Sequence, residues 1–338
     1  MRSFSEADLR VLHAVQLAPR ASWAQIAQVL GVDPATVARR WARLATSGSA
    51  WLSAHPGPGA VERVTVSFVE VDCATDQMLP IADALARDPR VGSVEHVTGG
   101  RDLLLTVFTA GLDALSDFVL HGVSRIPGVR SIRSQVGTRL FVEGSKWQLR
   151  TLEPAEQRRL ARSVSTSSAS ASAPAEADLR AVLRLLAENG RMGVSELADR
   201  MGVSRPTARR RVEAVLASRA VVVRCDVPHA LTGWPVSVTL WADVPPEEHG
   251  NVARTLAGLP ETRVCLGLTG GAANLVIALW LRGLDDVQRL ESVLAERVPR
   301  LRFVDRAVAL RHTKRAGTLL GPDGRAAEQV PIDPWFRD

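Results

Sequence analysis

The chain has 338 residues, 46% of them hydrophobic and 23% charged, which is more than one hydrophobic core usually serves and implies at least two globular domains. Its formal charge is +6, nearly all of it arginine, because Lys146 and Lys314 are the only lysines. Three widely separated cysteines (Cys73, Cys225 and Cys265) exclude a disulfide framework and a cysteine zinc site, and no apolar run approaches the ~18 residues of a membrane span.

The opening "MRSFSEADLR" carries acidic residues where a secretory leader is apolar, so a cytoplasmic location without membrane attachment is expected. Helical period follows: Leu9, Leu12 and Val15 mark one helix, Ile26, Val29 and Leu30 a second, and Val37, Trp41 and Leu44 a third. "SGSAWLSAHPGPGAVE" is rich in Gly, Pro and Ser and reads as an irregular hinge. Val61–Val71 reads as a strand, Ile81–Arg87 as a helix, "SVEHVT" and "DLLLTVF" as two strands joined by a glycine turn, Leu112–Ile126 as a helix and "VRSIRSQV" as a last strand. "EPAEQRRLARS" suits a short helix, and "SVSTSSASASAPAEA" (163–177) has the composition of a flexible linker.

The same order then returns. "EADLR" recurs from 6 to 176, "TGG" from 98 to 269 and "GLD" from 111 to 283, offsets of 170, 171 and 172 residues. That period is too long for a solenoid and marks two copies of a whole unit. The second copy shows three helical patterns, then a short strand in "RAVVVRCDVPHALTG", then "PVSVTLWADV", Glu247–Leu259, "TRVCLGLT", "NLVIALWL", Asp285–Val298 and "LRFVDRAVAL". The order β-α-β-β-α-β is the ferredoxin-like arrangement. The predicted class is α+β: two tandem copies of a winged helix-turn-helix domain followed by a ferredoxin-like domain. The expected boundaries are 1–58 and 59–145 for the first copy, 146–175 for the linker, 176–232 and 233–316 for the second copy, and 317–338 for a tail with little pattern. Trp241 and Trp280 fall in strand patterns and are expected in the core.

The third helix of each copy has two faces. In "VDPATVARRWARL", Val37, Trp41 and Leu44 share one side, while Thr36, Arg39, Arg40 and Arg43 share the other. In "VSRPTARRRVEAV", Ala208, Val212 and Val215 form the apolar stripe, opposite Thr207, Arg210 and Arg211, with Arg205 and Arg209 nearby. Asp33 and Ser204 suit N-caps, with Pro34 and Pro206 in the first turn, where a missing N–H costs little. Ala27 with Gly31 four residues later, and Ala198 with Gly202, place a small residue at a helix crossing and glycine in the turn. This is a helix-turn-helix pattern met twice, and it implies double-stranded DNA as partner. Thr36, Ala38, Arg39, Thr207, Arg209 and Arg210 are expected nearest base edges, where arginine forks guanine. Arg40, Arg43 and Arg211 are expected on phosphates, with Arg205 alongside.

These stretches resemble the Lrp/AsnC family of transcription regulators. The resemblance rests on "IAQVLGVDPATVARRWARL" followed by "VTGGRDLLLTVF", and it applies to each half, as in a tandem fusion. It implies DNA binding, homo-oligomers of pseudo-dimeric chains, and a small-molecule effector, an amino acid or a related compound, at effector-domain interfaces. Candidate effector residues are Gly99, Gly100 and Asp102 in the first copy and Gly270, Gly271 and Asn274 in the second, with backbone N–H groups for a carboxylate and Asp102 for an amine. Asn274, being neutral, cannot pair with an ammonium as Asp102 does. Neither a cofactor nor enzymatic activity is expected on this reading. The alternative is a haem-pathway decarboxylase, since such enzymes resemble Lrp/AsnC proteins and use the scaffold for tetrapyrroles; His96, His121 and His312 would then be the candidates.

Overall fold

A computed structural model describes residues 4–60, 62–164 and 174–337. Val61, the expected start of a strand, and residues 165–173 of the expected linker lie outside the described residues. The first copy supplies α1 (Glu6–Leu17), α2 (Trp23–Leu30), α3 (Pro34–Thr46) and β1 (Trp51–Pro56). It continues with β2 (Thr65–Cys73), α4 (Met78–Arg87), β3 (Val91–Val97), β4 (Leu103–Thr109), α5 (Leu112–Asp117) and β5 (Val129–Val142). After α6 (Pro154–Val164) come α7 (Glu176–Glu188), α8 (Val194–Met201), α9 (Arg205–Ala217) and β6 (Val221–Asp226). The second copy closes with β7 (Val236–Asp243), α10 (His249–Ala257), β8 (Thr262–Thr269), β9 (Leu275–Leu281), α11 (Asp285–Arg297) and β10 (Arg302–Arg315), followed by a hairpin, β11 (Thr318–Leu320) and β12 (Ala326–Gln329). Among the described residues no helix is long and apolar enough to cross a membrane.

The chain divides into two compact units, and each takes segments from both copies. The helical unit draws on Met1–Val64, Gln148–Pro228 and Ala316–Asp338. Its caps follow the sequence. Ser5 accepts from the Asp8 N–H, Ser22 and Gln25 form a reciprocal capping box, Asp33 accepts from the Ala35 N–H and Ser204 from the Thr207 N–H. α2 ends at Gly31 with φ +68° and α8 at Gly202 with φ +65°, a left-handed conformation that glycine adopts without Cβ strain. Leu12, Val15, Ile26, Val37 and Leu44 form one core with Leu160 of α6 and with Cys225 and Val227 of the second copy.

Three features of this unit depart from the sequence reading. The Gly/Pro-rich hinge of the first copy contains a regular strand, β1, paired antiparallel with β6 from Trp51↔Asp226 to Pro56↔Val221. The glycines serve close approach: a Cβ on Gly59 would stand 1.9 Å from the Ser218 carbonyl oxygen. The described part of the expected tail, 317–337, is docked. Ile332 is buried, Gln329 donates to the Leu52 carbonyl and Arg325 to that of Ser47, and the Arg180 guanidinium lies over the Trp335 ring. Finally, the two helical domains clasp each other reciprocally. Arg20 donates to the carbonyls of Gly190 (2.6 Å) and Met192 (3.0 Å), and Arg191, 171 positions on, donates to those of Pro19 (2.7 Å) and Ala21. Such an exchange is the signature of a two-fold, self-complementary contact.

The second unit comprises Thr65–Trp147 and His229–Arg315. Each copy forms a ferredoxin-like sheet, in the orders β5-β2-β4-β3 and β10-β7-β9-β8. β5 also pairs with β8 and β10 with β3, so eight antiparallel strands close on themselves without a free edge. β5 and β10 each run to 14 residues, well past the expected ends at Val136 and Leu310. The added halves face the other copy's sheet, which a reading of one copy cannot supply. Neighbouring residues alternate between two cores. Cys265, Leu275 and Ile277 pack with Val252, Leu256, Leu290 and Leu294 of the helices, whereas Leu266, Leu268 and Val276 pack with Phe68, Leu104 and Trp241 of both copies. Trp241 and Trp280 are both buried.

Candidate nucleic-acid interface and effector turns

α3 buries Val37 and Leu44, while Trp41 is half-buried against Trp23, ring centroids 6.1 Å apart. Its opposite face exposes Arg39, which reaches Thr36 Oγ1 at 3.4 Å, with Thr36 and Ala38 half-covered. Arg40 and Arg43 are engaged otherwise. Asp8 of α1, 4% exposed, accepts from Arg40 at 3.1 Å, from Arg43 at 2.6 Å and from the Ser5 hydroxyl. Burial raises the Asp8 pKa, but the hydrogen bonds from Ser5, Arg43 and Arg40 outweigh it and hold the carboxyl below its ordinary value. The second copy repeats the device with Arg211 on Asp178 at 3.0 Å. Arg205, Arg209 and Arg210 are exposed and Thr207 is half-covered. The face therefore splits into outward arginines (39, 205, 209, 210) and arginines bridged to the first helix of their own domain (40, 43, 211). The sequence reading separated Arg40, Arg43 and Arg211 from the others as phosphate contacts, and did not foresee their carboxylate partners Asp8 and Asp178 on the first helix.

The two glycine turns sit symmetrically. Gly99 has φ +98° and Gly270 φ +103°. A Cβ on Gly99 would lie 3.2 Å from the Arg306 carbonyl of β10, and one on Gly270 3.1 Å from the Ser134 carbonyl of β5, so each turn abuts the other copy's last strand. Gly100 and Gly271 are exposed. Asp102 accepts the Cys73 N–H at 2.7 Å. Asn274 accepts the Val244 N–H at 3.1 Å and donates to the Val244 carbonyl at 2.7 Å. Both side chains thus pin the backbone at the end of their sheet's first strand. Beside the first turn lies a charged network. Arg133 donates to the Gly100 carbonyl (2.7 Å) and to Glu70 (3.0 Å), and buried Arg101 contacts Glu70 (3.0 Å) and Asp305 beneath the Trp241 ring.

One group escaped the sequence reading. The β5–β8 seam pairs apolar Leu140 and Val142 with Leu266 and Cys265. Its counterpart, β10–β3, pairs Arg311 with His96, His312 with Glu95 and Lys314 with Val94. His312 meets His229 edge-on at 5.2 Å, and His229 stacks on Trp280 at 5.1 Å and shares a hydrogen bond with the Trp234 carbonyl. Trp147 packs edge-on against Trp280, and the guanidinium of Arg263 lies over Trp280 at 3.8 Å. Both ring nitrogens of His312 are shielded without a hydrogen-bond partner, the nearer one 3.7 Å from Glu95. Burial pushes the Glu95 carboxyl up to about 7 and, with the charge of Arg315, holds His229 down at about 4. Lys314, wholly enclosed and donating to the Asp88 carbonyl at 2.9 Å, is lowered to about 7 by burial. Setting "GTRLFV" (137–142) against "LRHTKR" (310–315) would have revealed the change from apolar to basic. Of the histidines named in the alternative reading, His96 contacts Thr313 at 3.2 Å, His121 lies near exposed Arg125, and His312 belongs to this group.

The Lrp/AsnC ligand binding domain matches residues 66–147, and the AsnC-type helix-turn-helix domain matches residues 5–45 and 180–214. An uncharacterised HTH-type transcriptional regulator of Pyrococcus abyssi is 33% identical over 125 residues, 36% of this chain and 75% of that protein. Another, from Pyrococcus furiosus, is 28% identical over 134 residues, 39% of this chain and 90% of that protein. The solved structure of the siroheme decarboxylase NirDL, in complex with an iron-uroporphyrin III analogue, matches 92% of this chain and 93% of its own, with TM-score 0.59 and 14% identity. That likeness concerns the fold, and it corrects one expectation. A structure sharing this duplicated architecture along nearly its whole length is an enzyme, so the absence of enzymatic activity does not follow from the scaffold. With both family domains matched and the duplication evident, the chain belongs to the Lrp/AsnC family, at about twice the length of its matched relatives.

Proposed function

We propose that the chain is a transcriptional regulator that binds two unlike half-sites on double-stranded DNA. The observation that carries this reading is the pair of capped, glycine-turned third helices whose outward faces present Arg39 in one copy and Arg205, Arg209 and Arg210 in the other. Guanidinium groups there suit guanine edges and phosphates. Covalent fusion makes pairing of the two readers intramolecular and frees them to diverge, so an imperfect palindrome becomes readable. Arg40, Arg43 and Arg211 act chiefly by bracing the third helix on the first. Oligomers of such pseudo-dimers bridge longer sites. An amino-acid effector binds at the turns, its carboxylate on the Gly99–Gly100 or Gly270–Gly271 N–H groups, with Asp102 and Asn274 ordering the adjoining strand. The test is recovery of bound fragments from the source genome by the purified chain, then fluorescence anisotropy on the recovered sequence. Loss of binding in Arg39→Ala/Arg210→Ala, with the fold retained by circular dichroism, supports the reading, and retained affinity rejects it.

A second reading has its own support: decarboxylation of a tetrapyrrole carboxylate, as the name of the full-length fold relative suggests. The histidine, arginine and tryptophan group on the β10–β3 seam favours it. Guanidiniums can hold carboxylates, indoles can face a flat macrocycle, and a carboxyl of pKa about 7 can supply the proton that replaces lost CO2. Incubation with iron-uroporphyrin III tests it. A shift of the Soret band that His312→Ala abolishes supports this reading, and an unchanged spectrum removes it.

A further inference from the structure

Among the described residues, the first copy carries a helix that the second lacks. α6 follows the last strand of the first copy's sheet, whereas the stretch after β10 forms the β11–β12 hairpin. α6 is pinned to the first helix-turn-helix domain. Leu160 is fully buried in that domain's core, and Glu156 pairs with Arg10 of α1 at 2.7 Å. Just ahead of α6, the Thr151 and Leu152 N–H groups both donate to Nδ1 of buried His13, at 3.0 and 2.9 Å. Along α2, Gln25 donates to the Ser163 carbonyl at 2.5 Å, and Arg159 donates to the Val29 carbonyl at 3.4 Å. α6 therefore runs antiparallel to α2, against the side that holds Gln25 and Val29. α3 meets α2 on another side, through Trp41 and Trp23. At 100° per residue, Ala24 and Gln28 fall between these two sides, and both are exposed.

The outward face of α6 presents Arg158, Arg159 and Arg162, all exposed. Arg158 and Arg162 lie one turn apart, and neither bonds to another described residue. Glu156, the one acid of the helix, is engaged by Arg10 and does not offset them. Like charges at this spacing destabilise a helix, so an anion laid across them is stabilising. In helix-turn-helix docking, the helix before the reader crosses the DNA backbone. The exposed stripe of α2 takes that place here, with α3 on one side of it and α6 on the other. We infer that the outward face of α6 grips the phosphates flanking the first copy's half-site, an inference that rests on the proposed DNA binding. Guanidinium groups fork phosphate oxygens bidentately. Lying beyond the helix that crosses the backbone, these arginines meet no base edge, so they add affinity without sequence preference. They also balance the two readers: α3 turns Arg39 outward, α9 turns out Arg205, Arg209 and Arg210, and α6 restores arginines to the first copy.

Fluorescence anisotropy of the full chain on its selected genomic fragment, from about 50 to 200 mM salt, tests the inference. Each phosphate contact contributes about 0.9 to the slope of log affinity against log salt. Arg158→Ala/Arg162→Ala should flatten that slope by about 1.8. It should weaken the selected fragment and an unrelated duplex of equal length by the same factor, about 5- to 20-fold at the lowest salt. Arg158→Lys/Arg162→Lys, which keeps both charges, should retain most of the slope. Both side chains are exposed, so the variants keep their fold, as circular dichroism checks. An unchanged slope in the alanine variant, or a loss confined to the selected fragment, overturns the assignment and leaves the proposed DNA binding standing. Absence of binding to any duplex by the wild type removes that reading and this surface together, so the two failures are told apart.

Discussion

Replacing Arg191 by alanine probes the joint between the two helical domains. Its guanidinium donates to two backbone carbonyls of the first copy and covers the Trp23 ring at 3.7 Å. Hydrogen bonds from charged groups are worth about 1.5–3 kcal/mol each, and a partly desolvated cation–π contact about 1 kcal/mol. Against these stand burial and repulsion from Arg20, which together hold the Arg191 pKa down at about 10. The net loss expected is about 2–4 kcal/mol, since the two carbonyls are left short of partners. Arg191→Lys should recover less than half, because one ammonium cannot fork two carbonyls. Arg20→Ala should cost a similar amount. The double variant should cost more than the sum, because each single change already relieves the like-charge repulsion that the double can relieve only once. Urea unfolding of the full chain, followed by far-ultraviolet circular dichroism, measures all four. An Arg191→Ala variant within 0.5 kcal/mol of the wild type, or strict additivity of the two changes, refutes the reciprocal clasp.

Three further outcomes are expected. Asp8→Asn removes the carboxylate that braces Arg40 and Arg43 and should cost about 1–2 kcal/mol; because the folded Asp8 pKa is depressed, this stability is present above about pH 4 and lost as pH falls through the folded value, so thermal melts of wild type and variant should converge in acid. Lys314→Met should flatten a pH dependence: the folded Lys314 titrates near 7 and the unfolded one near 10.4, so the unfolded state holds the extra proton between them and wild-type stability rises relative to the variant across that window, as urea midpoints at pH 6.5 and 9.5 would show. Asn274→Ala removes both hydrogen bonds to Val244 and should cost about 2 kcal/mol, whereas Asn274→Asp, which keeps the acceptor but loses the donor, should cost less, as read from urea midpoints.

Local chemistry made much of this molecule legible in its sequence. Ala27 with Gly31, and Ala198 with Gly202, announce tight turns because glycine alone adopts that φ cheaply, and Asp33 and Ser204 announce helix starts. Strand alternation placed Trp241 and Trp280 inside. What escaped was set by contacts between distant segments. Nothing near Asp8 signals that it faces Arg40 and Arg43, 32 and 35 residues on. β1 looks like a hinge until β6 lies beside it, and the outer halves of β5 and β10 lack a partner within their own copy. The buried charges of the β10–β3 seam were hidden for a related reason: "RHTKR" reads as a solvated end until the other sheet covers it.

The central claim, that two third helices in one chain read two half-sites, is met most directly by anisotropy on a genomic fragment selected by the protein, at 50 and 200 mM salt. The account predicts that Arg39→Ala and Arg210→Ala each weaken binding about 5- to 150-fold, the range of one bidentate base contact. Each should be sensitive to base changes in a different half-site, with affinity falling steeply as salt rises. Equal affinity of wild type and double variant for that fragment, at either salt concentration, would contradict it.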